Sequence, residues 1–232
     1  MKTHLVIGLG EVGTAIKTIL EQTKDNVQAV GRGSNLAGLF DVVHICIPVT
    51  PRFKNIVRDY VKKYLVDKGL LIIHSSTPIG TCKSLGAVHH PIRGTHPNLI
   101  RGIIDSVNYF GGERANEAAI LFQDLVQECR VILNSKDTEA AKLLDTTQYG
   151  LMIMIEKEIY KFCSKNHLNH YIVYEQFNET YNQMYAESKP RVVRPFLKHM
   201  NGPIGGHCVI GNAKLLKGFD LAKLLLNKNK TY

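Results

Sequence analysis

The stretch Gly8-Leu9-Gly10-Glu11-Val12-Gly13 decides the fold of this chain. It follows an apolar run at residues 4–8 and precedes apolar residues at helical spacing, so it predicts a strand, a glycine turn and a helix. In the spacing G-x-G-x-x-G, the first glycine makes the turn, the second admits a phosphate and the third lets the helix pack on the strand. Amide groups at the helix N-terminus then face negative charge. We therefore predict a dinucleotide site with the cofactor-binding residues Gly8, Gly10, Glu11, Val12 and Gly13; the alternative is a glycine-rich turn without a ligand.

Further strand patterns follow at regular intervals, at residues 27–31, 41–48, 69–76, 106–112 and 129–134. Helical patterns such as 52–65 and 115–128 lie between them, and this alternation predicts a parallel sheet covered on both faces. From residue 136 onward only helices are predicted, at about 138–164, 172–187 and 212–226. The predicted fold class is α/β: a Rossmann-type doubly wound parallel sheet over residues 1–135, binding NAD(P), followed by a smaller all-α domain over 136–232 with a long central helix and a cysteine loop.

Composition excludes several classes of protein. With 232 residues, 44% hydrophobic and 21% charged, the chain fits a globular protein rather than a disordered, collagen-like or coiled-coil one. No apolar run approaches the ~20 residues that cross a bilayer, so we expect no membrane partner. Five cysteines without a C-x-x-C pair fit reduced thiols and a cytoplasmic protein.

The net charge of +9 has two explanations, a nucleic-acid surface and an anionic small molecule. The basic residues are spread along the chain and no nucleic-acid-binding motif accompanies them, so we expect a small anionic substrate and no nucleic acid. A metal site is not predicted, because the adjacent His89 and His90 would point apart on a strand.

The choice of cofactor depends on the segment after the second strand. A carboxylate there would bind the ribose of NAD, whereas an arginine accommodates the 2′-phosphate of NADP. Residues 26–40 contain no carboxylate, and Arg32 and Ser34 lie where the acid is expected. The sequence thus favours NADP slightly over NAD, although Arg32 fits a solvated loop position equally well.

The segment 201–212 joins a glycine-rich turn to Cys208, just before the last predicted helix. A thiol at a helix N-terminus beside a histidine is placed for a lowered pKa and a reactive thiolate. Packing in the core is the alternative, since cysteine is among the most buried residue types.

Residues 201–216, NGPIGGHCVIGNAKLL, resemble the catalytic-cysteine motif of the UDP-glucose, GDP-mannose and UDP-N-acetylmannosamine 6-dehydrogenase family. Four further segments resemble this family in order: IGLGEVG at 7–13, CIPVTP at 46–51 with Pro48 and Thr50 as cofactor-binding residues, HSSTPIGT at 74–81, and the central helix at 137–159. The segment at 171–182 resembles the helix that follows.

The resemblance implies that a primary alcohol is oxidised twice, with hydride transfer to NAD, a cysteine thiohemiacetal and hydrolysis of a thioester. It implies that Cys208 is the nucleophile, that Lys142 stabilises the oxyanion, and that Ser76 positions water or substrate. Asn212 takes the place of a catalytic aspartate and Thr146 that of an asparagine. The resemblance also implies a homodimer formed through the central helix.

The sequence also departs from the pattern of this family. Asn212 cannot act as a base, and residues 89–98 hold no carboxylate where the family has a glutamate. The family's third domain, which holds the nucleotide, has no counterpart, so we expect a short form. We assign substrate binding to His90, Arg93, His96 and Thr146, and we expect NAD(P)-dependent oxidation of an alcohol on a small anionic substrate, a sugar derivative among the candidates.

Two alternatives stay open. The pattern His90-Pro91-x-x-Gly94 resembles prephenate dehydrogenases, and it would make His90 the base of a single-hydride enzyme in which Cys208 only packs. The other alternative is a non-catalytic dinucleotide sensor, or a subunit whose partner supplies the third domain.

Overall fold

The computed structural model describes residues 1–34 and 36–232. The chain divides into two compact units, Met1–Lys142 and Leu143–Tyr232. The division lies within a long helix, beyond the boundary predicted at residue 135.

Unit 1 is built on one sheet whose described strands run in the order β2-β1-β3-β4-β5-β6-β7. Strands β5 and β6 pair antiparallel, and every other neighbouring pair is parallel. The winding reverses between β1 and β3, and in open α/β sheets ligands bind beyond the carboxyl ends of strands at such a point. The strands are β1 (Thr3–Ile7), β2 (Asn26–Val30), β3 (Phe40–Ile45), β4 (Leu65–Ile73), β5 (Val88–His89), β6 (Val107–Gly111) and β7 (Glu128–Ile132).

Helices cover both faces of this sheet, which confirms the predicted Rossmann-type fold. Alternate strand residues point to opposite faces, so Val6 and Val42 pack with α1, α4 and α5, whereas Leu5 and Val43 pack with α2 and α3. The helices of unit 1 are α1 (Glu11–Leu20), α2 (Phe53–Tyr64), α3 (Thr81–Ser84), α4 (Leu99–Ile104) and α5 (Ala115–Phe122). Helix α6 (Ser135–Lys165) begins in unit 1.

Unit 2 is helical, as predicted. After α6 come a π-helix (Tyr171–Gln176), α7 (Phe177–Tyr185), α8 (His207–Leu215) and α9 (Asp220–Lys228). Gly150 of α6 permits close packing, because a Cβ there would lie 2.5 Å from Val209 Cγ1. Within the described residues, no helix has the length and apolar character needed to span a membrane.

The prediction for the last helix was wrong. Residues 212–226 were expected to form a single helix, but the chain forms α8 and α9 with a break between them at residues 216–219. Gly218 in this break has φ of +80°, a conformation that ends helices and that glycine adopts without strain.

Candidate functional site

The glycine turn between β1 and α1 has the geometry that its sequence predicts. Gly8 has φ of +99°, and a Cβ there would lie 2.6 Å from the carbonyl oxygen of Cys46. A Cβ at Gly13 would lie 1.7 Å from the carbonyl oxygen of Gly8, so only glycine allows α1 to approach the turn. Around Gly10 the space is open, and this residue, the N-cap of α1, makes no side-chain capping hydrogen bond. The turn therefore presents amide groups and room for a phosphate.

The other predicted cofactor residues lie beside this turn. Arg32 and Ser34 follow β2, Pro48 and Thr50 follow β3, and all four are exposed. Because β1 lies between β2 and β3, the three segments leave the sheet at the carboxyl ends of neighbouring strands. They are accessible to one bound molecule.

The segment after β5 approaches the glycine turn. His96 Nδ1 and Glu11 Oε2 lie 2.5 Å apart, which joins a predicted substrate residue to a predicted cofactor residue. Lys142 donates a hydrogen bond from Nζ to the carbonyl oxygen of Ile92 at 2.8 Å, and the adjacent Arg93 is exposed. Positive side chains thus flank this segment.

His90 does not occupy the position predicted for it. It is fully buried, with Nδ1 3.0 Å from His74 Nδ1 and Nε2 2.9 Å from Asn108 Oδ1. Both ring nitrogens are used within the protein, so His90 cannot bind a substrate or act as the base of the single-hydride alternative. Burial lowers the pKa of His90 to about 4.

Ser76 is half-buried in a turn that is organised by a carboxylate. Glu139 of α6 is buried and accepts hydrogen bonds from Thr77 Oγ1 at 3.0 Å, from Gly80 N at 2.6 Å and from Cys82 N at 2.8 Å. No local sequence pattern indicates this role of Glu139, because its partners lie far away along the chain.

In unit 2, three predicted residues lie around the start of α8. Cys208 is exposed in the first turn of this helix, after Gly206 with φ of +84°. One turn further on, the buried Asn212 donates from Nδ2 to Thr146 Oγ1 of α6 at 2.9 Å. The predicted residues Asn212 and Thr146 are therefore joined by a hydrogen bond.

A buried carboxylate positions the segment that leads to Cys208. Glu156 of α6 accepts a hydrogen bond from His199 at 2.9 Å, and the His199 ring stacks on Tyr160. Ile204 donates its backbone N–H to Asn229 Oδ1. These contacts hold the loop before α8 at residues 199 and 204.

Cys208 differs from the other four cysteines in its exposure. Cys82 and Cys163 are buried, and Cys46 and Cys129 are partly buried. Burial raises the pKa of the Cys46 and Cys82 thiols, which makes thiolates unfavourable there. Among the described residues, no group of three or more histidine, cysteine, aspartate or glutamate side chains is arranged to hold a metal ion.

Comparisons with known proteins identify the fold. No protein-family model matches the sequence, and no curated protein matches it. Among solved structures, UDP-D-ManNAc dehydrogenase from Pyrococcus horikoshii is similar with a TM-score of 0.78 and 17% identity, over 98% of this chain and 68% of that one. A UDP-glucose dehydrogenase from Pyrobaculum islandicum is similar with a TM-score of 0.70 and 14% identity, over 100% of this chain and 68% of that one.

A shorter enzyme is also similar. The 3-hydroxyisobutyrate dehydrogenase of Mycobacterium tuberculosis gives a TM-score of 0.62 at 15% identity, over 100% of this chain and 86% of that one. The chain thus spans about two thirds of the length of the nucleotide-sugar dehydrogenases and most of the length of this smaller one. At these identities the likeness establishes the architecture: this chain has the fold shared by these dehydrogenases.

Proposed function

We propose that this chain is a nicotinamide-dinucleotide-dependent dehydrogenase that oxidises an alcohol group of a small anionic substrate. The glycine turn is the observation that carries the proposal. Any Cβ at residue 13 would overlap the carbonyl oxygen of Gly8, so only glycine fits there, while the space at Gly10 is open. A dinucleotide held at this turn would accept the hydride from the alcohol carbon.

The residues present fit such a cofactor. The α1 N-terminus and Gly10 would hold the diphosphate, and the exposed Arg32 and Ser34 would face the ribose of the adenosine. We propose a preference for NADP, because a guanidinium pairs with the additional phosphate and this segment offers no carboxylate to the free ribose hydroxyls.

Arg32→Ala tests this preference. We expect the Kd for NADPH to rise at least about tenfold, because one charge-assisted hydrogen bond is worth roughly 1.5–3 kcal/mol, and the Kd for NADH to stay unchanged. Fluorescence titration measures both constants, and Arg58→Ala on the exposed face of α2 is the matched control. Equal weakening of both cofactors would contradict the preference.

For the substrate we propose an anionic group bound near the segment after β5. Arg93 is exposed there, and Lys142 holds the carbonyl of the preceding residue. The planar guanidinium of Arg93 suits a carboxylate or a phosphate. The sugar derivatives named for the similar structures suggest sugar phosphates and sugar acids for a first panel, and hydroxy acids complete it.

We further propose that Cys208 acts on the aldehyde formed by the first oxidation. Its thiol would lose a proton and the sulfur would bond to the carbonyl carbon, while the carbonyl oxygen takes up a proton. A second oxidised dinucleotide would accept the hydride from that carbon, which gives the thioester, and water would then release the acid and restore the thiol. The exposure of Cys208 in the first turn of α8 supports this role.

Cys208→Ser tests the covalent step. We expect acid formation to fall by at least about 100-fold, with unchanged dinucleotide affinity, and two reduced cofactors per substrate in the unmodified protein. Cys129→Ser is the control, since Cys129 lies in β7. One reduced cofactor per substrate in both proteins would contradict the covalent step while leaving a simple dehydrogenase.

A non-catalytic dinucleotide-binding protein is the second candidate. It is favoured by the hydrogen bond between Asn212 and Thr146, which joins two neutral side chains where the resembled family has a carboxylate and an amide. Dinucleotide binding without turnover of any compound in the panel would favour this candidate.

We also propose a homodimer formed through α6. Leu144, Ile155 and Phe162 are large apolar residues exposed on this helix, and their spacing places them on one face. Sedimentation velocity should give a dimer, and Phe162→Glu should give a monomer. A monomer in the unmodified protein would refute the dimer.

A further inference from the structure

Four histidines are buried in the core of unit 1. His4 lies in β1 and His44 in β3, while His74 and His90 directly follow β4 and β5. All four point to the sheet face that packs against α1, α4 and α5, as the strand alternation requires. We refer to these four residues as the histidine file.

The histidine file is joined by short contacts between ring nitrogens. His4 Nδ1 lies 3.0 Å from His44 Nε2, and His44 Nδ1 lies 3.0 Å from His74 Nε2. His74 Nδ1 lies 3.0 Å from His90 Nδ1. Each contact has the length of a hydrogen bond, so each needs one donated proton.

A hydrogen-bond acceptor lies at each end of the histidine file. At the buried end, Asn108 donates its amide N–H groups to the carbonyls of Ile103 and Ser106, so its Oδ1 faces His90 Nε2 at 2.9 Å. At the other end, Asp25 Oδ2 lies 3.2 Å from His4 Nε2. Asp25 also accepts the backbone N–H of Lys2 through Oδ1.

Four neutral histidines cannot satisfy this array. A neutral imidazole carries one N–H, so the histidine file supplies four protons. The array contains five hydrogen bonds between its two accepting ends, and each bond requires a proton. We propose that the histidine file and Asp25 form one proton-binding site that holds five protons at neutral pH.

The same count assigns the tautomers. Asn108 fixes a proton on Nε2 of His90, so His74 and His44 must donate from Nδ1, and so must His4. His4 Nε2 would then present a lone pair to the Asp25 carboxylate unless a fifth proton lies between them. That proton rests at the His4–Asp25 end, where the carboxylate compensates its charge.

The charges around this end are few. Lys2 and the terminal amino group lie near Asp25, and Asp41 lies near His4. Outside the histidine file, His89 is a titratable neighbour of His74. Burial lowers the pKa of His4, while its hydrogen bond and charge interaction with Asp25 act in the opposite direction. The 3.2 Å contact favours the proton, because two facing lone pairs would repel.

The site can also move charge without moving heavy atoms. If the Nδ1 protons of His4, His44 and His74 each cross to the facing nitrogen, His4 becomes neutral and His90 carries both ring protons. The positive charge then passes from the start of β1 to the end of β5. No carboxylate is bonded to His90, so the charge returns to Asp25.

The experiment is long-range 1H–15N spectroscopy of the full chain labelled at histidine, at pH 7. We expect His44 and His74 as neutral Nδ1–H tautomers and His90 as the Nε2–H tautomer. The fifth proton should appear either as a doubly protonated His4 or, in carboxyl 13C shifts, as a neutral Asp25. Four neutral imidazoles beside an ionised Asp25 would overturn the proposal.

Asp25→Asn is the decisive variant. Its amide can donate to His4 Nε2 while its oxygen still accepts from Lys2, so five hydrogen bonds form with four neutral histidines. We expect the charged form to disappear from the spectra. The matched control Asp41→Asn, whose carboxylate bonds Thr3 rather than the file, should retain the fifth proton. A charged histidine that persists in Asp25→Asn would overturn the proposal, and if this variant does not fold, the tautomers of the unmodified chain decide.

Discussion

At the scale of single residues, steric contacts with nearby backbone atoms determine which positions of the glycine turn must be glycine. Gly8 and Gly13 are required by contacts with backbone atoms only a few residues away or on the next strand. The reason for each glycine is therefore visible in the spacing, and the sequence predicted it.

Gly13→Ala and Gly10→Ala should separate folding from binding. A methyl group at residue 13 would overlap the carbonyl oxygen of Gly8, so we expect the free energy of unfolding to fall by about 1–3 kcal/mol. Residue 10 has open space, so Gly10→Ala should fold normally but bind the dinucleotide at least about tenfold more weakly. Urea unfolding and fluorescence titration measure the two effects. Undiminished binding by Gly10→Ala would show that the phosphates lie elsewhere.

His90 illustrates where residue-level reasoning failed. The pattern around it indicated substrate binding, yet its ring lies in the core and bonds His74 and Asn108. A signal was present, since His4, His44 and His74 each interrupt or end an apolar strand pattern. A single polar residue in one strand says little, and only the order of the strands brings these residues together.

At the scale of elements, periodicity predicted the strands and the central helix well, but it could not locate the break between α8 and α9. The apolar spacing continues across residues 216–219, and the positive φ of Gly218 is a property of the folded backbone. Strand β5 was also missed, because it has only two residues and pairs antiparallel with β6.

The turn after β4 should depend on one carboxylate of α6. Glu139 accepts from Thr77, Gly80 and Cys82, and Glu139→Gln would turn an amide toward one of these donors. We expect the free energy of unfolding to fall by about 1–3 kcal/mol. Urea unfolding measures this loss, and the exposed Glu113→Gln should change stability by less than about 0.5 kcal/mol. Equal stability of the two variants would mean that the turn does not depend on the Glu139 carboxylate.

At the scale of the whole molecule, the buried histidines predict a pH dependence of stability. Burial lowers the pKa of His89 to about 3 and of His90 to about 4, and it holds the pKa of His44 and His74 well below the usual value. In the unfolded chain these rings titrate near pH 6.5. As the pH falls below that value, the unfolded chain takes up protons that the folded one does not, so acid favours unfolding.

We therefore expect the urea midpoint to fall between pH 7 and 5. Each such histidine contributes up to about 1.4 kcal/mol per pH unit in the acidic part of this range. A His90→Gln variant should show a shallower slope. A midpoint that rises toward pH 5 would contradict the assignment of neutral buried rings.

The histidine file finally constrains how this sequence can vary among related chains. Replacing one member would leave a buried donor or acceptor unpaired in the strand beside it, whereas replacing all of them by apolar residues of similar size could be nearly neutral. Residues 4, 44, 74 and 90 should therefore change as a group, although they are far apart in the chain. In an alignment of close homologues, strands that share no local motif would carry a common signature of covariation.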